Sequence, residues 1–197
     1  MYLPKHFEIT NSDEIFAFVE ANAFGQLISQ VEHRLFSSHV PFLLSNERTV
    51  LFAHLAKANP QLAEIEQQEV LITFDGPHDY ISPSWYTGPG VPTWNYQAVH
   101  IYGRCKVLND AEKLKDIVEC LTKKYESGFD APWRPAYKEA MLGAIAGLEI
   151  QITEVQCKYK LSQNRQENEQ IRIIENLKKT GSVQLAEAME LHFKQSK

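Results

Sequence analysis

The chain has 197 residues, 44% of them apolar and 23% charged, and its 25 Asp and Glu against 20 Lys and Arg set a formal net charge of −5. That length suits one domain, or one with a terminal appendage, and the acidic balance excludes broad charge-driven binding to nucleic acid or anionic lipid. Three cysteines without Cys-x-x-Cys spacing read as reduced thiols of a cytoplasmic protein, and neither a secretory leader nor an apolar run of about 20 residues is apparent.

Asn11 opens the first helix, with Glu14 three residues on and Ile15, Phe18 and Val19 on one face. Residues 24–30 and 34–44 follow as two strands of a meander turned at Glu32-His33, and residues 49–55 make a third. Asn59 and Pro60 start a helix, as N-cap and first helical residue. Residues 70–74 are a fourth strand, and Tyr80-Ile81 opens a fifth. An aromatic loop then runs from Ser82 to Asn95, punctuated by Pro83, Gly88, Pro89, Gly90 and Pro92, before a long strand over 96–108. Asn109 or Asp110 caps a helix over 111–125, residues 137–145 suggest a short helix, and 147–155 alternate as the last strand of the body. Two helices, 169–178 and 183–193, follow a break at Thr180-Gly181-Ser182. Six or seven strands in meander order, with few crossover helices, favour a closed or split antiparallel β-barrel over a parallel sheet.

Three segments carry polar groups where the pattern asks for apolar ones. The strand Leu35 to Phe42 is interrupted by Ser37, Ser38 and His39 ahead of Val40. The segment His54 to Gln61 surrounds a helix start with Lys57, Asn59 and Gln61; free amide N–H groups, a helix N-terminus and an ammonium group suit a phosphate. The aromatic loop supplies planar surfaces. A phosphate cradle, hydrogen-bonding strand groups and aromatic rings together match the needs of flavin mononucleotide. Each segment has a plainer reading: ordinary capping at Asn59-Pro60, core histidines at His39 and His54, and aromatic packing in the loop. A metal pair at His39 and His54 lacks a third ligand at recognisable spacing. No Ser/His/Asp pattern accompanies Ser37, Ser38 or a cysteine, so no catalytic residue is assigned.

Six unusual strings occur in order: Met1-Tyr2-x-Pro4-x-His6-Phe7, Ser38-His39-Val40-Pro41-Phe42, His54 to Gln61, Gly76 to Tyr86, Val91 to Tyr96, and Lys160-Leu161-Ser162-Gln163-Asn164-Arg165. On these, the chain resembles the PaiB family of FMN-binding negative transcriptional regulators, in the FMN-binding split-barrel superfamily. The resemblance implies a split antiparallel β-barrel over residues 1–157 and a C-terminal helical arm over 158–197. It also implies a homodimer with FMN at the subunit interface. By analogy with other split barrels, the strand bearing Ser37, Ser38, His39 and Val40 lies along the flavin. His54, Lys57, Asn59 and Gln61 hold the ribityl phosphate, and Trp94 and Asn95 reach in from the partner chain.

Function follows along two lines. The first is an FMN-binding regulator in which DNA contact falls to the tail, whose residues 171–189 loosely follow helix–turn–helix spacing around Gly181. A dimer-stabilising helical arm is the preferred reading of that tail, since no arginine-rich recognition helix is evident. The second is a flavin-dependent oxidoreductase. A haem-binding split barrel using His39, His54 or His100 is the outlier.

Overall fold

The computed structural model describes residues 1–108, 110–135 and 139–195. Its elements are α1 (Ser12–Ala21), β1 (Phe24–Val31), β2 (Arg34–Pro41), β3 (Leu43–Leu44), β4 (Val50–Ala56), β5 (Glu69–Ile81), β6 (Thr93–Leu108), α2 (Ala111–Glu126), α3 (Glu139–Leu142), β7 (Ile145–Lys160), α4 (Glu167–Thr180) and α5 (Val183–Gln195). The strands form one seven-stranded sheet in the order β2-β1-β5-β6-β7-β4-β3. Its registered pairs, β1 with β2 and β5, and β4 with β3 and β7, are antiparallel. The chain divides into two compact units, one of Met1–Phe18, Asp75–Val99 and Gln156–Lys197, the other of Val19–Phe74 and His100–Val155.

In the second unit, β1 and β2 are joined by Glu32 and His33, both at positive φ (51° and 62°), the sign pattern of a type I′ turn that matches strand twist. The single strand expected over 34–44 breaks at Phe42. Its N–H bonds Ala23 O at 2.8 Å, and the chain changes partner there, from β1 to β4. Pro41 has no N–H with which to continue the ladder. Although β2 and β4 stand far apart in strand order, they lie against each other, so the sheet curls in this unit. Leu27, Leu51, Ala53, Ile72, Phe74, Ile101, Leu148 and Ile150 are completely buried inside the curl, and the rings of Phe42 and Phe74 meet edge-on at 5.4 Å. Over the outer face lies α2, capped by Asp110, whose side chain accepts from Glu112 N and Lys113 N; Leu114, Ile117 and Leu121 form its buried side.

In the other unit, Asn11 caps α1 as the sequence suggests, accepting from Glu14 N at 3.1 Å. The fourth and fifth strands of the sequence reading are one continuous strand, β5. Gly76 lies in it where any Cβ would stand 2.7 Å from the ring of Phe18, so only glycine lets the strand pass that ring. Lys178 O and Leu177 O of α4 accept from Gly181 N and Ser182 N, the Schellman ending, with Gly181 at φ 88°. Ile173, Ile174 and Leu177 of α4 and Leu185, Ala186 and Met189 of α5 are buried as the two helices pack on each other.

Other boundaries differ from the sequence reading as well, β6 beginning at Thr93 rather than 96 so that Trp94 and Asn95 stand on a strand and not in the loop. The helix expected after Asn59 is a four-residue 3-10 turn, Pro60–Ala63. The short helix expected over 137–145 is seen as α3 alone; Tyr137 lies outside the described residues, as does Asn109, one of the two expected caps of α2. The last strand runs to Lys160, past the expected end at 155.

Candidate functional site

Strand period two divides the residues expected along the flavin. Ser38 stands opposite Leu27 and Val40 opposite Gly25, facing the buried interior, whereas Ser37 and His39 stand opposite Ile28 and Gln26 on the outer side. Ser38 belongs to a polar plug. Asn59 Nδ2 donates to Ser38 Oγ at 2.9 Å, and Asn59 Oδ1 accepts from Gln61 N at 2.9 Å. Gln61, fully buried, turns its Nε2 toward Ser29 Oγ at 2.8 Å, Leu27 O at 3.3 Å and Phe36 O at 3.5 Å. Its Oε1 is buried without a partner among the described residues. The Gln61 N–H expected to serve a phosphate is therefore already taken by Asn59, and a 3-10 turn this short carries little dipole.

Outside, the β1–β2 hairpin shows another surface. Phe24 is 64% exposed and Leu35 78% exposed. Ser37 Oγ donates to Gln26 Oε1 at 3.4 Å, and the rings of Phe24 and His39 lie 6.2 Å apart. Lys57, two residues from the Asn59 that ties this segment to β2, is exposed and has no carboxylate partner among the described residues. His54 is placed differently. It pairs with Gly147 in the β4–β7 register, and a Cβ on Gly147 would meet Leu108 and Leu114, so His54 points to the face covered by α2. Its Nδ1 is buried without a partner among the described residues, and burial holds its pKa below the usual 6.5, keeping the ring neutral. The structure thus joins Ser38, Asn59 and Gln61, sets Ser37, His39 and Lys57 outside, and places His54 apart from both groups.

In the first unit Trp94 and Asn95, adjacent on β6, have opposite fates. Asn95 is fully buried and bonds Ser162, its Nδ2 2.9 Å from Ser162 Oγ and 3.4 Å from Met189 Sδ. Trp94 is 53% exposed. Its carbonyl accepts from Lys160 Nζ at 2.7 Å, and Lys160 also bonds Thr93 Oγ1. Burial first, and then the charge of Lys158, lower the pKa of Lys160. The loop before Trp94 is strapped to the tail by Arg165, just ahead of α4, and by Glu169 on it, the second of which sequence reasoning passed over. Glu169 Oε1 accepts from Thr87 N at 3.3 Å and Gly88 N at 3.4 Å, while the Arg165 guanidinium stacks 4.0 Å from the Tyr86 ring centroid and donates to Pro89 O. The one hint in the sequence was the odd string Lys160 to Arg165, which supplies both Lys160 and Arg165.

The residues on the outer side of the hairpin fit a flavin ring, with hydrogen-bonding groups in Ser37, His39 and Gln26 and apolar surface in Phe24 and Leu35, whereas Lys57 lines a separate cavity at the start of α2 with Asp110 and Glu112. The inner set offers one idle acceptor, Gln61 Oε1, and no free donor for a phosphate.

A curled antiparallel sheet in this strand order, with a helical pair after it, is the fold of the flavin-binding split barrels. A family model described as "Putative FMN-binding domain" matches residues 1–154, and the chain belongs to that family, whose cofactor is a flavin. It is 39% identical over 201 residues to "Protease synthase and sporulation protein PAI 2" of Bacillus subtilis (strain 168), covering 96% of this chain and 97% of that one. Among solved structures it is similar to an FAD and haem binding protein from Mycobacterium smegmatis, with TM-score 0.65, 13% identity, and 83% of this chain and 78% of that one covered. It is also similar to the flavocytochrome Anf3 from Azotobacter vinelandii, with TM-score 0.64, 17% identity, and 83% and 74% covered. At such identities these two show the fold alone.

Proposed function

We propose that this chain is an FMN-binding homodimer of the PaiB type that acts as a negative regulator of transcription. The observation that carries the flavin and dimer reading is the outer face of the β1–β2 hairpin. There Phe24 and Leu35 stand in solvent beside Ser37 and His39. Such an exposed apolar face calls for cover, and a second copy with a planar ligand in the seam supplies it. In this reading Ser37 and His39 hydrogen-bond the ring system, and Lys57 neutralises the phosphate. Trp94, exposed and anchored by Lys160, reaches the ring from the partner chain. Asn95, committed to Ser162, acts by fixing the backbone beside Trp94, while Ser38, Val40, Asn59 and Gln61 hold β2 in register with the 54–61 segment, and neutral His54 backs β4. When bound, the flavin supplies one- and two-electron redox chemistry.

The regulatory part is supported by the near full-length similarity to PAI 2, which takes in the helical tail. On α5 the exposed residues Glu187 and Leu191 do not suit a DNA groove, and its exposed cation is Lys194 in the last turn; Arg172 and Lys179 on α4 are further exposed cations open to phosphates.

The test is an absorbance titration of the purified chain with FMN alongside sedimentation. One FMN per subunit in a dimer is expected, with Lys57→Met and His39→Ala weakening FMN at least tenfold and Leu35→Glu shifting the chain toward monomer. A monomeric wild type, or unchanged FMN affinity in both site variants, would refute the flavin reading. For DNA, mobility shifts on promoter fragments should weaken steeply with salt; no salt-sensitive shift on any fragment removes the regulatory reading.

A further inference from the structure

In the second unit a cavity of about 280 Å³ lies between α2 and one face of β3, β4 and β7. We propose that it binds a small organic amine, an apolar body carrying one protonated amino group. Strand register builds one wall. Leu43 stands opposite Phe52 in the β3–β4 pairing and Phe52 opposite Glu149 in the β4–β7 pairing, so the three form a row across adjacent strands on a single face. The helix builds the other wall. Lys113, Asp116, Ile117 and Cys120 follow the i, i+3, i+4, i+7 spacing that sets side chains in one stripe along α2.

Side-chain length explains why the space is open. Leu43 and Phe52 pack against the buried cluster of Leu108, Ile117 and Leu121, yet both remain only partly buried. Beside them α2 presents Asp116 and Cys120, one turn apart, a short carboxylate and a short thiol where leucines would have filled the gap. The floor is therefore apolar, and the volume stands at the small end of ligand cavities, which selects a compact apolar body; the Phe52 ring favours an aromatic one. Charge then selects the head group. Asp116 and Glu149 stand on opposite walls, and Lys113 is on the same stripe as Asp116. None of these three side chains makes a hydrogen bond or ion pair with other described residues, so the rim carries two carboxylates against one ammonium. That balance attracts a cation and repels a carboxylate or a phosphate. A protonated amine has three N–H donors, enough to meet both carboxylates while its body lies on Phe52 and Leu43; a hydroxyl in its place has one donor and no charge. None of the lining residues enters the proposed FMN contacts, and FMN is itself an anion, so the inference stands apart from the flavin reading.

The test is equilibrium dialysis of the full chain against phenethylamine, phenethyl alcohol and hydrocinnamate at neutral pH. It is run on the wild type and on Asp116→Asn, Glu149→Gln and Cys120→Leu, with circular dichroism to confirm folding. Saturable binding of the amine is expected, roughly fivefold weaker for the alcohol and absent for the carboxylate. Each of Asp116→Asn and Glu149→Gln should weaken the amine about threefold, and Cys120→Leu, which fills the cavity, should abolish its binding. In the wild type the bound amine should also slow alkylation of Cys120. No saturable binding of the amine at millimolar concentration overturns the proposal, as does equal affinity for the alcohol, or wild-type affinity in Cys120→Leu or in both charge variants. Saturating FMN should leave the affinity for the amine unchanged; competition between them would give the cavity to the flavin and sink this inference alone. Loss of the flavin reading, by a chain that takes up no FMN, would leave the amine titration as it was.

Discussion

Gln61 and Glu169 each carry a polar side chain from the start of a helical segment into the interior, and they are treated in opposite ways. Around Glu169, 7% exposed, the carboxylate is matched: Oε1 accepts from Thr87 N, Thr87 Oγ1 and Gly88 N, and Oε2 lies 3.8 Å from Arg165. Around Gln61, fully buried, three oxygens crowd the Nε2 while Oε1 has no donor among the described residues. A buried charge survives only when its surroundings are matched to it, whereas a neutral amide can stay half-satisfied at a cost of about 1–3 kcal/mol. The matched cluster is architecture, strapping the aromatic loop to α4.

Exchanging the two chemistries breaks the comparison most severely. Gln61→Glu would set a carboxylate against three acceptors with no cation near, and a loss of about 4 kcal/mol is expected in urea unfolding at neutral pH, easing as the pH falls and the acid takes up a proton. The converse change, Glu169→Gln, keeps an acceptor for the loop amides and forfeits only the charge; about 1.5 kcal/mol should go, with Tyr86 fluorescence reporting a looser loop. Asn59→Ala removes both the cap on Gln61 N and the bond to Ser38, and a drop of about 1 kcal/mol in the same unfolding measurement would sharpen the assignment of the plug.

The smallest effect is on pH. Burial lowers the pKa of His54, and also that of His192, where Glu14 opposes it in part. The unfolded chain therefore takes up these protons first. The stability contributed by the neutral rings is complete above the ordinary value of 6.5 and is lost as the pH falls below it toward the folded pKa. His54→Gln should make the fall in unfolding free energy between pH 7 and pH 5 shallower; an unaltered slope would show that His54 is not held neutral. The thiols are a separate check on burial: Cys105 and Cys157 are pushed up to about 12, while Cys120 is exposed, so the native chain should take a single alkyl group at pH 8.

Much of the fold was legible because it is written in local spacing. The Asn11 cap, the Glu32-His33 turn and the apolar face of α2 are short-range features that stand where the sequence places them, and Asp110 is the one of the two offered caps that α2 uses. The misreadings share one cause. Gly76-Pro77 looks like a break but is spanned by β5, because Phe18, far away in sequence, packs where a side chain would go. Phe42 looks like mid-strand, but it exchanges one partner strand for another. Asn59-Pro60 opens too short a turn to be a helix. In each case a distant partner outweighs the local signal.

For the site, residue type was readable from the chain and direction was not. The sequence alone determined that hydroxyls, a histidine, a lysine and a tryptophan recur in an order diagnostic of a flavin-binding family, since those strings depend only on composition and spacing. Which way each side chain points depends on strand register and on what covers each face. So only the tertiary structure could send Ser38 inward and His39 outward, bury Asn95 while leaving its neighbour Trp94 in solvent, and bring Glu169 across from the tail to hold the loop.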